Sequence, residues 1–332
     1  MSTAATAATS AALLQVRDLS VEFATDEGRV RAVDGISFAV RPGETVALVG
    51  ESGCGKTVTG LALLGLIPQP PGRIASGSIL FAGRDLLAMP ETELRGMRGS
   101  QISMIFQEPM TALNPVFRIG SQMVDVLRRH QRLTRAQARA AAIEMLAKVG
   151  LPAPGRRIDE YPHQLSGGMR QRVMIAMALS CGPRLLIADE PTTALDVTTQ
   201  AQVMDLIVDL QREFGMALIL ITHDLGVVAE SCQRALVMYA GKIVESAPVD
   251  TLFRVPRHPY TDGLLASIPR IRADRLERLP VIAGMVPDLR HLPDGCRFAE
   301  RCPRVRDYCR LASPPLQPIG KAGTEVACYV PN

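Results

Sequence analysis

The sequence lacks several features that would assign it to whole classes of protein. It contains no apolar run of 18 or more residues, so no membrane-spanning helix is predicted. Its formal net charge is only +4, which does not indicate a dedicated nucleic-acid binder, because such proteins concentrate basic residues on one domain. Residues 1–12 have neither a basic segment nor a long apolar core, and we interpret them as a disordered tail and not as a secretory signal.

The composition that remains is typical of a globular protein. Hydrophobic residues make up 47% of the chain and charged residues 21%, and 332 residues suffice for a large core and two or three domains. Seven cysteines in a chain without an export signal indicate a reducing cytoplasm, where disulfides are rare.

The most informative segment is GESGCGKT at residues 50–57, which fits the phosphate-binding P-loop pattern G-x-x-x-x-G-K-[ST]. An apolar run at 45–49 predicts a buried strand before it, and residues 58–66 predict a helix after it. The glycines leave room for phosphate oxygens, and the free N–H groups at the helix start face the anion. We expect Lys56 to reach the β- and γ-phosphates and the Thr57 hydroxyl to bind Mg²⁺. The residues predicted to contact the nucleotide here are Gly50, Ser52, Gly53, Cys54, Gly55, Lys56 and Thr57.

Two later apolar strands end in polar side chains. The predicted strand at 185–189 ends in Asp189, which suits a Mg²⁺ ligand, and Glu190 follows on the opposite side, where it could act as general base on water. The predicted strand at 218–221 is followed by His223, which we expect to contact the γ-phosphate. A histidine at the end of a core strand is also often only a satisfied polar group.

A second anion-binding device is predicted at residues 165–169, LSGGM, which open a helix. Ser166 is suited to be the N-cap, and Gly167 and Gly168 leave backbone N–H groups unblocked.

Together these segments resemble the nucleotide-binding subunit of ABC transporters over residues 13–260. In the family's order they are the P-loop, Gln107 of the Q-loop, the signature at 165–169, the Walker B strand with Glu190, the D-loop at 194–196 and the switch His223. The resemblance implies an α/β fold of the P-loop NTPase type, with a RecA-like core, an antiparallel β subdomain and a helical subdomain at about 110–180.

The same resemblance implies an ATPase that works as a head-to-tail dimer. ATP would lie between the P-loop of one subunit and Ser166, Gly167 and Gly168 of the other. Gln107 would bind Mg²⁺ and sense water, Glu190 would activate the water, and His223 would hold it. In one respect the chain departs from the family, because residues 24–30 contain no aromatic platform for adenine. Phe23 is the only candidate, and a core phenylalanine explains it equally well.

Residues 261–332 are predicted to be a small, irregular C-terminal extension. The segments VPRHPYT at 255–261, LLASIP at 264–269 and GCRF at 295–298 resemble the oligopeptide/dipeptide importer branch. Four of the seven cysteines fall here, which suggests a metal site. Their wide spacing lacks the C-x₂₋₄-C pattern of structural zinc. The resemblance implies a [4Fe–4S] cluster held by Cys296, Cys302, Cys309 and Cys328. Zn²⁺ is the second choice for this site, and four unliganded thiols are the alternative.

The resemblance implies an ATPase subunit that powers di- or oligopeptide import from the cytoplasmic face of the membrane. The implied partners are a second, similar ATPase, two transmembrane permeases and, indirectly, an extracytoplasmic binding protein, with no nucleic acid. The alternatives are an importer ATPase for a non-peptide solute and a soluble ABC ATPase acting on nucleic acid or ribosomes. The soluble class is disfavoured because only one P-loop and one signature occur, with no heptad run between them.

Overall fold

The structure of the chain, a computed structural model, describes residues 12–108, 112–193, 195–268, 281–320 and 323–332. The predicted tail at 1–12 lies outside the described residues apart from Ala12. The chain divides into two compact units. We call them the helical unit, Arg41–Glu44 and Ala88–Leu220, and the P-loop unit, Ala12–Val40, Thr45–Leu87 and Ile221–Asn332. Within the described ranges, no helix combines the length and the apolar character that crossing a membrane requires.

The described residues contain both strands and helices, as an α/β sequence predicts. The strands are β1 (Leu14–Thr25), β2 (Gly28–Val40), β3 (Thr45–Val49), β4 (Gly72–Phe81), β5 (Arg84–Asp85), β6 (Ile102–Ile105), β7 (Leu185–Asp189), β8 (Ala217–Thr222), β9 (Arg234–Tyr239), β10 (Lys242–Pro248), β11 (Gln317–Pro318) and β12 (Glu325–Val326). The helices are α1 (Lys56–Leu63), α2 (Glu91–Met97), α3 (Ile119–Gln131), α4 (Arg135–Lys148), α5 (Pro154–Arg157), α6 (Gly167–Leu179), α7 (Val197–Phe214), α8 (Leu225–Ser231), α9 (Val249–Arg254) and α10 (Pro259–Ala266).

The P-loop unit contains the predicted antiparallel β region as a sheet of strand order β2-β1-β4-β5. β1 is antiparallel to both β2 and β4, so both of its edges are hydrogen-bonded. Its residues from Leu19 to Glu22 are all buried, so the middle of the strand packs into the core.

A second set of strands in the P-loop unit has the order β11-β12-β10-β9-β3. β3 pairs in parallel with β9, and all five of its residues are buried, as expected for a continuous apolar run in a parallel sheet. β9 and β10 form an antiparallel hairpin on either side of Ala240-Gly241. This arrangement carries the chain into the P-loop from a rigid, buried strand.

The C-terminal extension is largely irregular and shares the core of the P-loop unit. β12 adds to the edge of β10, with Val326 opposite Glu245. Phe298 is fully buried against two tyrosines, with ring-centroid distances of 5.3 Å to Tyr239 and 5.4 Å to Tyr260. The extension therefore contributes aromatic side chains to the core that supports the P-loop.

In the helical unit, β6 and β7 are parallel and β8 begins beside β7. α3 ends at Gln131, and Arg132 takes a left-handed conformation directly after it. Thr134 and Gln137 then start α4 with a capping box. Both helices bury one apolar stripe, and Arg128, Arg129 and Arg135 are exposed.

His258 is the buried N-cap of α10 and gives the stability of the chain a pH dependence. Its Nδ1 accepts the Tyr260 N–H at 3.0 Å, and among the described residues its Nε2 has no hydrogen-bond partner. Burial therefore lowers the pKa of the imidazole to about 3. The folded chain keeps this ring neutral, whereas the unfolded chain binds a proton below about pH 6.5. The stability that depends on the neutral ring is complete above that pH and is lost as the pH falls towards 3.

We expect His258→Asn to flatten this pH dependence, because asparagine can cap the helix but cannot be protonated. Between pH 7 and pH 5 the parent should lose about 2 kcal/mol more unfolding free energy than the variant, as one proton corresponds to about 1.4 kcal/mol per pH unit. Urea unfolding at several pH values measures this difference. His291→Asn is the matched control, because the His291 side chain is 83% exposed. Equal slopes for the parent and His258→Asn would contradict the assignment.

Candidate active site

The P-loop has the strand–loop–helix form that its sequence predicts, with β3 before it and α1 after it. Its course requires glycine at two positions. A β-carbon on Gly50 would lie 2.1 Å from the Met238 carbonyl oxygen, and one on Gly55 would lie 2.3 Å from the Ala32 carbonyl oxygen. Gly55 is also the N-cap of α1, with φ of 103°, in the left-handed region that favours glycine. The loop can therefore pass these carbonyls only without side chains.

The Lys56 side chain folds back onto the backbone of the P-loop. Its Nζ donates hydrogen bonds to the carbonyl oxygens of Gly50 at 2.8 Å and Glu51 at 3.0 Å, and the residue is only 6% exposed. An ammonium group bound by oxygen acceptors can exchange one of them for a phosphate oxygen at little electrostatic cost. Contact between Lys56 and the β- and γ-phosphates stays a prediction.

The other predicted P-loop residues differ in exposure. Ser52, Gly53 and Thr57 are exposed and open to a ligand. Cys54 is fully buried, and burial raises the pKa of its thiol. Only the backbone of Cys54 is therefore suited to contact a phosphate.

Gln107 and Glu190 are joined directly in the helical unit. Gln107 Nε2 donates a hydrogen bond of 2.9 Å to Glu190 Oε2, although the two residues are 83 positions apart in sequence. The same carboxylate oxygen accepts the Thr193 hydroxyl at 2.9 Å. Asp189 is 2% exposed at the end of β7, whereas Glu190 is half-buried, so the adjacent carboxylates lie in different environments.

Two residues that hold this segment were missed from the sequence. Thr193 orients the Glu190 carboxylate, and the Ser/Thr spacing three residues after an acidic side chain was the available signal. Gln171 of α6 is buried and donates to the Pro191 carbonyl oxygen. A glutamine within a helix gives no local sign of such a contact.

The signature segment in the helical unit forms the predicted helix start. Ser166 is the N-cap of α6, and its Oγ accepts the Met169 N–H at 3.3 Å. Ser166 and Gly167 are exposed and Gly168 is half-buried, so the first N–H groups of a 13-residue helix are accessible. Of the D-loop, Leu195 and Asp196 are described, and Ala194 lies outside the described residues.

The remaining predicted residues belong to the P-loop unit. His223 directly follows β8 and is exposed. Phe23 lies in β1, paired with Val30 and Gly72, and is half-buried. Its ring packs on Gly72, where a β-carbon would lie 2.9 Å from Phe23 Cε1.

The predicted metal site on the C-terminal cysteines is wrong. All four line one cavity, but no group of three or more potential ligand side chains able to hold a metal ion occurs in the described part of the chain. The cavity measures about 10 Å³, which is no more than one water requires. Burial raises the pKa values of Cys296 and Cys302, and that of Cys328 to about 11.

Comparison with known proteins agrees with the motif order. The family model for ABC transporters matches residues 33–193, and the model for the oligopeptide/dipeptide transporter C-terminal region matches residues 244–309. The chain is 52% identical to a probable peptide ABC transporter ATP-binding protein, y4tR, of Sinorhizobium fredii, over 96% of this chain and 95% of the relative. It is 51% identical to the oligopeptide transport ATP-binding protein AppD of Bacillus subtilis, over 96% of each chain.

A solved structure shows the same fold. The dimeric ATP-binding cassette MJ0796, bound to ADP and Pi in a post-hydrolysis state, superposes with a TM-score of 0.64 at 26% identity. The match covers 71% of this chain and 98% of that one. Motif order, P-loop geometry and these similarities lead to one conclusion: the chain belongs to the family of ABC transporter ATP-binding proteins.

Proposed function

We propose that this chain is the ATP-hydrolysing subunit of an ABC importer for di- or oligopeptides. The observation that carries the proposal is the P-loop, with Lys56 held on its carbonyl oxygens beside the exposed Ser52, Gly53 and Thr57. Such a loop offers backbone N–H groups and a cation to a triphosphate. Thr57 and Asp189 are oxygen donors of the kind that Mg²⁺ prefers, and we assign the metal to them with Gln107. Mg²⁺ supplies charge neutralisation on the phosphates when bound.

Hydrolysis requires a base for the attacking water, and we assign this role to Glu190. Its carboxylate is oriented by hydrogen bonds that Gln107 and Thr193 donate to Oε2, and a carboxylate held in this way can accept a proton from water. His223, exposed after β8, is assigned to the γ-phosphate and water. Phe23 remains the candidate adenine contact.

A second ATPase subunit is part of the proposal. The accessible N–H groups at Ser166, Gly167 and Gly168 suit an anion, and the related cassette MJ0796 is a dimer. We propose that they complete the nucleotide site of a partner cassette, so that ATP holds the dimer together and hydrolysis releases it.

The substrate class follows from the relatives and from the C-terminal region. The two most informative relatives are named as peptide and oligopeptide transport proteins, and the matched C-terminal region bears the same description. We propose that the chain works at the cytoplasmic face of the membrane with two permeases, which receive peptides from an extracytoplasmic binding protein.

Glu190→Gln should lower ATP hydrolysis by about 100-fold or more, the typical contribution of a general base. Because glutamine keeps the size of the side chain, MgATP binding should persist and an ATP-bound dimer should accumulate. Phosphate release measures the rate, and size-exclusion chromatography with MgATP measures the dimer. Glu144→Gln on the exposed face of α4 is the matched control and should behave as the parent. Hydrolysis at the parent rate in Glu190→Gln would refute the assignment.

Affinity purification of the tagged chain from detergent-solubilised membranes should recover two polytopic permeases and a second ATPase, identified by mass spectrometry. Mock purification from cells without the tag is the control. Peptides added with the binding protein should then stimulate ATP hydrolysis by the purified complex. Recovery of ribosomal or DNA-associated proteins without permeases would favour the soluble class instead, and stimulation only by a non-peptide solute would change the substrate.

A further inference from the structure

Glu51, the second residue of the P-loop, is held at three points. Its N–H donates to Tyr260 Oη at 2.9 Å, and its carbonyl oxygen accepts Lys56 Nζ at 3.0 Å. Both oxygens of its carboxylate accept hydrogen bonds from Arg301, at 2.7 and 3.0 Å. Tyr260 and Arg301 belong to the C-terminal part of the P-loop unit, outside every nucleotide motif in the sequence.

Every N–H donor of the Arg301 guanidinium has a hydrogen-bond acceptor. Besides the two bonds to Glu51, it donates to Tyr239 Oη at 3.3 Å and to the carbonyl oxygens of Ile282 at 3.3 Å and Ala283 at 2.9 Å. Five N–H groups therefore meet five acceptors. Its side chain is only 5% exposed, and Cζ lies 5.7 Å from the Tyr239 ring centroid. The hydrogen bonds to Glu51 raise the pKa of Arg301, so it stays charged.

The pairing of Arg301 with Glu51 compensates a negative charge in the P-loop. A carboxylate directly after Gly50 repels a polyphosphate, and at 29% exposure Glu51 is only partly screened by water. A bidentate guanidinium neutralises that charge and sets the direction of the carboxylate. A lysine would supply a charge without the fork geometry.

We propose that Arg301 is a positioning residue for the nucleotide site, which neutralises and orients the Glu51 carboxylate so that the P-loop can bind MgATP. The inference rests on the nucleotide binding proposed above and deepens it. The C-terminal region then helps to form the ATP site, because Arg301 binds the Glu51 carboxylate and Tyr260 accepts the Glu51 N–H.

The test is MgATP affinity of the full-length chain, measured by titration with a fluorescent ATP analogue and by competition with MgATP. Arg301→Met should raise the dissociation constant about 10-fold, within the range of coupling between contacting charged groups. The double variant Glu51→Gln/Arg301→Met should recover affinity to within about threefold of the parent, because it removes the charge that Arg301 neutralises. Arg306→Met, at an exposed arginine of the same segment, is the matched control and should bind as the parent does.

Each outcome decides the matter. Parent-like affinity in Arg301→Met would overturn the inference. Equally weak binding by the single and double variants would also overturn it, since Arg301 would then act only in folding. Recovery in the double variant excludes misfolding as the cause, because that variant carries the same Arg301→Met change. A parent chain that binds no MgATP would instead refute the proposed function, and this inference would fall with it.

Discussion

At Gly50 and Gly55 the phosphate-binding loop passes so close to the carbonyl oxygens of Met238 and Ala32 that a β-carbon would lie 2.1 and 2.3 Å from them. No side chain can be accommodated at such distances, so the backbones of β9 and β2 shape the loop from outside. The two carbonyls belong to different sheets of the P-loop unit. The orientation of the first N–H groups of α1, and with it any binding of phosphate, depends on this contact.

The two charged side chains of the P-loop, Lys56 and Glu51, each have partners within the P-loop unit. Lys56 is bound by carbonyl oxygens, and Glu51 is bound by Arg301. Unpaired charges at such low exposure would be unfavourable, whereas paired charges with their hydrogen bonds satisfied also fix geometry. The C-terminal extension supplies Arg301, which binds Glu51, and Phe298, which belongs to the aromatic core. The conformation of the P-loop therefore depends on the folding of the extension.

The cysteines show how far composition can mislead. Four thiols in one segment indicated a metal site, and the structure does bring them to one cavity. Whether converging thiols bind metal depends on the geometry in which they meet, and that geometry is not encoded in spacing. Among the described residues they form no group of three or more ligands able to hold a metal ion. Close packing around apolar neighbours makes these side chains part of the core.

The sequence by itself determined the elements whose cause is local. The P-loop, the buried strand before it, the Ser166 cap and the acidic end of β7 all follow from neighbouring residues, because backbone conformation and capping act over a few positions. The contacts that join distant segments were decided only by tertiary structure. Gln107 and Glu190 meet across 83 positions, and Glu51 and Arg301 across 250. Such pairs depend on how sheets and loops pack, and no short-range pattern contains that information.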